Sequence, residues 1–311
     1  MSTKLRVHAA LFVVALIYAA NYSLAKDVMP RYLGPLGIVT LRIGGAALFF
    51  ALVKYFVAPN DRIQGRADNL RALACGVLGI GLNQLLFFSG LNWTSPINAS
   101  LLQTLAPLVV MLASAALLSE RITLPRLLGI CLGAAGAAAL ILHRPSVGAL
   151  IYPRALLGNL CILANATVFG LYLVLVAPLM RKYHAFTVLA RVFLVGAVVA
   201  VPVGAPQALA ADYAHFPAYI WAEVAYMVFC LTILAYLLNN WALKFASPAL
   251  LGVYIYLQPV LAVLIAVSLG RDHFTWEKAG QAALIFVGVG LVSRRARPAV
   301  ATGTLGKPVS P

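Results

Sequence analysis

Apolar stretches of about 20 residues recur along the whole chain, separated by short polar breaks. About 20 residues is the length a helix needs to cross the ~30 Å hydrocarbon core of a bilayer. No water is available there to backbone N–H and C=O groups, so each stretch must satisfy its own hydrogen bonds as a helix. Ten candidate spans can be marked: Val7–Lys26, Leu33–Val57, Leu70–Leu91, Ile97–Leu118, Leu124–Leu142, Leu156–Met180, Phe186–Gly204, Tyr219–Leu243, Pro248–Leu269 and Trp276–Val292. They take roughly 210–220 residues, and the remainder of the 311 holds no folded extramembrane domain. Only 10% of the residues are charged, too few to cover a soluble surface. The fold class expected is an all-α polytopic membrane protein with ten transmembrane helices.

The breaks carry turn chemistry, as in Pro59-Asn60-Asp61, Ser95-Pro96, Ser247-Pro248 and Gly270-Arg271-Asp272. Lys4 and Arg6 before an apolar run ending near Tyr18-Ala19-Ala20 also resemble a signal peptide, but the repeat described below needs this first helix. Cys75, Cys131, Cys161 and Cys230 all fall in spans without metal spacing and read as small buried residues.

Counting Lys and Arg in alternate loops gives 15 on the side of the N-terminus and 6 on the other. By the positive-inside rule both termini are expected in the cytoplasm, for a protein of the inner (plasma) membrane. The net charge of +15 is then mostly topology, and no nucleic-acid partner is implied.

An internal repeat is the strongest feature. Shifted by 152 residues, Gly79–Thr123 lies on Leu231–Thr275 without a gap, with 11 of 45 positions identical. Ser95-Pro96 falls on Ser247-Pro248, Pro107 on Pro259, and Glu120 on Asp272; an offset of 149 places Arg42 on Arg191. Residues 1–143 and 144–293 therefore read as two five-helix copies, with 294–311 a disordered cytoplasmic tail. Five is odd, so the second copy is expected inverted, the architecture of secondary transporters with a midplane site between the copies.

Polar and aromatic side chains inside spans gather on single helix faces. They are Tyr18, Asn21 and Tyr22 in the first span; Asn83, Gln84, Phe87 and Phe88 in the third; and Ser100, Gln103 and Thr104 in the fourth. The sixth span holds Asn165, Phe169 and Tyr172, the eighth Thr232, Tyr236, Asn239 and Asn240, and the ninth Tyr254, Tyr256 and Gln258. Such groups are costly in a membrane unless they face a cavity or bond a neighbouring helix. Pooled, they point to a central substrate cavity, with the second, fifth, seventh and tenth spans peripheral. Pro107 and Pro259 break the hydrogen-bond ladder inside spans, as hinges or as static kinks. Gly129, Gly133 and Gly136, and Gly280, Gly288 and Gly290, make small-residue faces for packing within or between subunits.

All eight acids lie in loops or near helix ends, and no acid–histidine relay crosses the core. Arg42 and Arg191 are the embedded charges: they bond carbonyls or snorkel, or they attract a carboxylate or phosphate. No metal, phosphate-loop or catalytic-triad spacing is found, so neither a cofactor nor an enzyme is expected.

Thr40-Leu41-Arg42-Ile43-Gly44-Gly45-Ala46-Ala47, Ala106-Pro107-Leu108, and Glu120-Arg121-Ile122-Thr123 followed by Gly129 and Gly136 resemble the drug/metabolite transporter superfamily, EamA type. Gln258-Pro259-Val260 and Asp272…Thr275 are their counterparts in the second copy, which departs from the family pattern in having Arg271-Asp272-His273. The resemblance covers residues 7–293 and implies ten helices in inverted halves and export of small metabolites. Within it, a cavity lined by amides and aromatics without an acid is most similar to YddG-type exporters of aromatic and other amino acids. The alternative is a phosphorylated-sugar or nucleotide-sugar antiporter of the same superfamily. A membrane-embedded enzyme would need a catalytic cluster that the chain lacks. The partners expected are a small-molecule substrate and the lipid bilayer, with the protein a monomer or weak homodimer.

Overall fold

Apolar length dictates helix, and in the computed structural model the described residues form helices joined by short turns, with no strand among them. Residues 3–106, 108–109, 111–112, 124–142, 152–243, 245, 248–270 and 272–293 are described. The helices are α1 (Thr3–Val28), α2 (Pro35–Val57), α3 (Arg66–Trp93), α4 (Pro96–Gln103), α5 (Leu124–Leu142), α6 (Ala155–Lys182) and α7 (Ala185–Leu209). They continue as α8 (Ala218–Val228, Phe229–Leu234 and Ala235–Leu243 in succession), α9 (Pro248–Ser268) and α10 (Trp276–Ser293). Among the described residues six helices (α1, α2, α3, α6, α7 and α8) are long and apolar enough to cross a membrane, and shorter apolar helices accompany them. Pro35, Pro96 and Pro248 each open a helix, where the missing N–H is no loss. Ser95 caps α4 by accepting the Asn98 N–H at 3.2 Å.

Side-chain contacts sort the helix ends into two sets. At one end Lys26 donates to the Asn92 carbonyl at 3.0 Å and lies 4.5 Å over the Tyr152 ring. There too Tyr32 meets Tyr219, Gln207 accepts the Leu36 N–H at 2.9 Å, and Asp272 accepts the Ile97 N–H at 3.2 Å. At the opposite end Asp68 holds Lys182 at 2.6 Å and Tyr183 at 2.9 Å, Asp61 accepts the His184 N–H, and His8 meets Tyr254. Successive helices thus alternate in direction.

The helices pair as α2 with α7, α5 with α10, α3 with α6, and α1 with α9 and α8. Small residues allow the closest approaches. A Cβ on Gly204 of α7 would stand 2.1 Å from the Leu36 carbonyl oxygen of α2, and one on Gly288 of α10 would stand 2.5 Å from the Gly133 nitrogen of α5. The glycine faces of the fifth and tenth spans therefore meet within the chain at Gly133, Gly136 and Gly288, while Gly280 and Gly290 face open space.

The interior is apolar, with Phe50, Phe88, Ile43 and Leu102 fully buried, but Leu48, Phe56, Val198 and Leu264 are more than half exposed. An apolar exterior is what a lipid solvent requires. It also corrects the expectation that all four cysteines are buried. Cys75 is, Cys161 and Cys230 are half-buried, and Cys131 is exposed, because a spanning helix is apolar on its lipid face as well as its packed face.

Candidate functional site

Two turns depart from α-helical winding. Gly76–Leu82 of α3 and Phe229–Leu234 of α8 wind as π-helix, a form concentrated at functional sites. Thr232 bonds the Met227 carbonyl five residues back at 3.0 Å, a reach that suits the wider turn.

Arg42 of α2 lies against both. Its Nε donates to the Met227 carbonyl at 3.1 Å and to the Thr232 hydroxyl at 3.2 Å, and its Nη1 donates to Gln84 Oε1 at 2.7 Å. Gln84 Nε2 continues to Asn83 Oδ1 at 2.8 Å, and Asn165 of α6 donates to the Asn83 carbonyl at 2.7 Å. A single network therefore ties α2, α3, α6 and α8. The guanidinium also lies 5.0 Å from the Phe88 ring, a cation–π contact, and Tyr18, Tyr226 and Tyr236 are its electrostatic neighbours. Arg42 is 7% exposed, and no carboxylate among the described residues pairs with it.

Aromatic rings extend this cluster. Tyr22 meets Phe87 edge-on at 5.6 Å and Phe87 meets Phe88 at 5.2 Å. Tyr236 packs on Phe193 at 5.6 Å, and Phe169 stacks on Tyr172 at 6.0 Å. Tyr226, not singled out from sequence, hydrogen-bonds the Ile17 carbonyl and so joins α8 to α1.

Among the expected site residues, Asn21, Tyr22, Asn83, Phe88, Asn165 and Tyr172 are buried. Tyr18, Gln84, Phe87, Gln103, Phe169, Tyr236, Asn239 and Gln258 keep partial exposure. The side-chain oxygens of Asn21, Gln103 and Asn165 are sealed from solvent without a hydrogen-bond partner, which costs about 1–3 kcal/mol each where nothing compensates. Pro259 is buried inside α9, which runs through it as continuous helix. Pro107 and the side chains of Asn240 and Tyr256 lie outside the described residues.

Two expectations change. The second span is not merely peripheral, since it supplies the centre of the network through Arg42. Arg42 and Arg191 are also not equivalent: Arg42 is buried among polar partners whereas Arg191 is exposed on α7. Repeat position alone could not separate them, because a helix exposes residues at one depth to different surroundings. Asn159, which bonds Thr94 between α6 and the end of α3, was missed as well, although an asparagine inside an apolar span is a readable signal.

A cavity of about 250 Å³ opens at the end of the bundle near Lys26, lined by Asn92, Trp93, Tyr152, Pro153 and Arg154. Among the described residues no group of three or more His, Cys, Asp or Glu could hold a metal.

Comparison with known proteins places this arrangement. The EamA-like transporter family matches twice, over residues 5–142 and 156–294. The chain belongs to this family. The molecule is therefore a multi-pass membrane transporter of the drug/metabolite superfamily and not an enzyme. It is 25% identical over 285 residues to the uncharacterized transporter YyaM of Bacillus subtilis, covering 92% of each chain. It is 26% identical over 288 residues to a probable terminal-alkyne amino-acid exporter of Streptantibioticus cattleyicolor, covering 92% of this chain and 93% of that one. One solved crystal structure superposes with a TM-score of 0.59 at 22% identity, over 92% of this chain and 97% of that chain, and shares the fold.

Proposed function

We propose that the transporter is a secondary carrier exporting amino acids, aromatic and other neutral ones, or similar small amphipathic metabolites, by alternating access. The observation that carries this reading is a buried arginine without a carboxylate partner among the described residues, set among amides and aromatic rings where α2, α3, α6 and α8 meet. A zwitterion needs a cation for its carboxylate, acceptors for its ammonium group and apolar room for its side chain. Arg42 supplies the first. Asn21, Gln103 and Asn165 hold unpartnered acceptors that are sealed here and open only as the helices move apart, and Tyr18, Phe87, Phe88, Tyr172 and Tyr236 supply aromatic surface. The named amino-acid exporter among the relatives supports the same substrate class.

The scaffold is two inverted five-helix halves, 1–143 and 144–293, rocking about the site between them. In support, the family matches once in each half. The π-turn of α8, moved back by 152 residues, falls on 77–82 inside that of α3. Helix direction agrees too, since α6 starts at the end where α1 finishes, as the contact of Lys26 with Tyr152 requires. Pro259, with Pro107 as its counterpart, is the hinge of each half. The 15-to-6 excess of Lys and Arg supports cytoplasmic termini in the inner membrane. The protein acts as a monomer or weak homodimer.

The test is reconstitution in liposomes with labelled Phe, Met and Thr. Saturable flux of at least one is expected. No saturable flux of any amino acid would overturn the proposal.

A further inference from the structure

We infer that Arg42 is the specificity-determining anchor for a single substrate carboxylate, so that the cargo is a monocarboxylate and not a phosphate ester. The inference rests on the transport reading above and deepens it.

The argument starts from the donors of the guanidinium. Arginine offers five N–H groups in a rigid planar fork. The Nε–H is spent on the Met227 carbonyl and the Thr232 hydroxyl, and one Nη1 hydrogen goes to Gln84. The Nη2 amino group makes no hydrogen bond to a described residue, yet it is absent from the buried polar atoms that are sealed from solvent. The Nε and Nη1 donors are thus held by neutral acceptors, while Nη2 keeps its hydrogens unspent and is not fully sealed.

Neutral anchors matter. A carboxylate partner would cancel the charge, whereas a carbonyl, a hydroxyl and an amide orient the group and leave its charge uncompensated. Phe88, 5.0 Å from the guanidinium, adds favourable energy without adding negative charge. Gln84 is itself held by Asn83, so it cannot turn its amide around without breaking the bond to Asn83 Oδ1. The fork is therefore preorganised, and a carboxylate can take the unspent Nη2 hydrogens in charge-assisted hydrogen bonds.

The count of cations then sets the class of anion. A phosphate ester near neutral pH carries about two charges and three acceptor oxygens, and its sites gather several cations. Here Arg191, the other embedded cation, is exposed on α7, and among the described residues no second cation joins Arg42 in the cluster. One fixed positive charge matches one carboxylate.

The experiment uses the full chain in liposomes and in detergent. On the wild type, 3-phenylpropionate (carboxylate without ammonium), phenethylamine (ammonium without carboxylate), phenylalanine amide and glucose 6-phosphate compete with labelled Phe. The acid is expected to compete at least tenfold better than the amine, the amide or the sugar phosphate. Amine or sugar phosphate competing as well as the acid overturns the inference, even if amino-acid flux is real. In parallel, melting temperatures are measured with 3-phenylpropionate for the wild type, Arg42→Gln and Arg42→Lys. The acid is expected to stabilise the wild type, to stabilise Arg42→Lys less, and to leave Arg42→Gln unchanged. If Arg42→Gln does not fold, the competition series decides alone. If the wild type shows no amino-acid flux, the transport reading falls, while acid-induced stabilisation of wild type but not of Arg42→Gln still upholds the anchor. Stabilisation absent from the wild type, or equal in both proteins, overturns it.

Discussion

Gly204→Ala tests a close backbone contact between α2 and α7. The added Cβ would lie 2.1 Å from the Leu36 carbonyl oxygen and 2.3 Å from Thr40 Oγ1. Thr40 can rotate, although its hydroxyl would give up the bond it makes to that same carbonyl at 3.2 Å. The Leu36 carbonyl is backbone near the start of α2 and cannot step aside. Restoring a normal separation of about 3.5 Å from 2.1 Å requires α2 and α7 to part by about 1.4 Å. Overpacking of this kind costs about 1–3 kcal/mol. At a few degrees per kcal/mol for a chain of this size, the melting temperature in detergent should fall by roughly 2–10 °C. Gly290→Ala is the matched control, being the same exchange on a helix with nothing within 4 Å of the new carbon. There alanine should be neutral or stabilise by about 0.5–1 kcal/mol through backbone entropy. Unfolding is followed by tryptophan fluorescence. Equal melting temperatures for the two variants would refute the claimed approach of α2 and α7.

Two further predictions concern the ends of the bundle. Asp272 ties α4 to α10 by accepting the Ile97 N–H at 3.2 Å while holding Lys278 at 2.8 Å, so Asp272→Ala should destabilise by about 0.5–2 kcal/mol in the same assay. Asp272→Asn keeps an acceptor and should lose less, and equal losses would show that the cap contributes nothing. At the other end Asp61 accepts the His184 N–H at 2.8 Å. Its carboxyl is held below the ordinary carboxylate range, first by the Thr187 hydroxyl beside it, which falls short of full hydrogen-bond geometry, and then by that N–H. A depressed folded value means the contact stabilises above the unfolded value near 4 and fades as pH falls through the folded one. The deficit of Asp61→Asn relative to wild type should therefore shrink on acidification below about pH 4. A deficit that grew instead would reverse the sign of the argument.

Most of the architecture was legible in the chain because the bilayer leaves few choices. An apolar run of about 20 residues must be helix, so the marked spans agree with the observed helices to within a few residues at most ends. The repeat was legible through Ser95-Pro96 and Ser247-Pro248, where a turn residue and a proline mark the start of a helix whatever surrounds it. Polar clustering on faces also found most of the network, since Asn83, Gln84 and Asn165 have nowhere inexpensive to go except one another.

The π-turns at Gly76–Leu82 and Phe229–Leu234 were not legible. Nothing in Gly-Val-Leu-Gly-Ile-Gly-Leu or Phe-Cys-Leu-Thr-Ile-Leu forbids ordinary α-helix. The wider winding goes with close packing, with Gly76 against Val195 and Gly196 against Ile80. The same limit applied to the cysteines and to the two arginines. In water, burial can be read from hydrophobicity, but in lipid both faces of a helix are apolar and the contrast disappears.

By itself, then, the sequence determined that this protein crosses a membrane repeatedly as helices, with its acids near the ends and two arginines as its embedded charges. Those outcomes follow from the cost of exposing backbone and charge to hydrocarbon, a cost fixed residue by residue. Only the tertiary structure decided that Arg42 and not Arg191 meets Gln84, Met227 and Thr232. That choice depends on which face of α2 turns toward α3 and α8, and helix packing, not composition, sets the rotation.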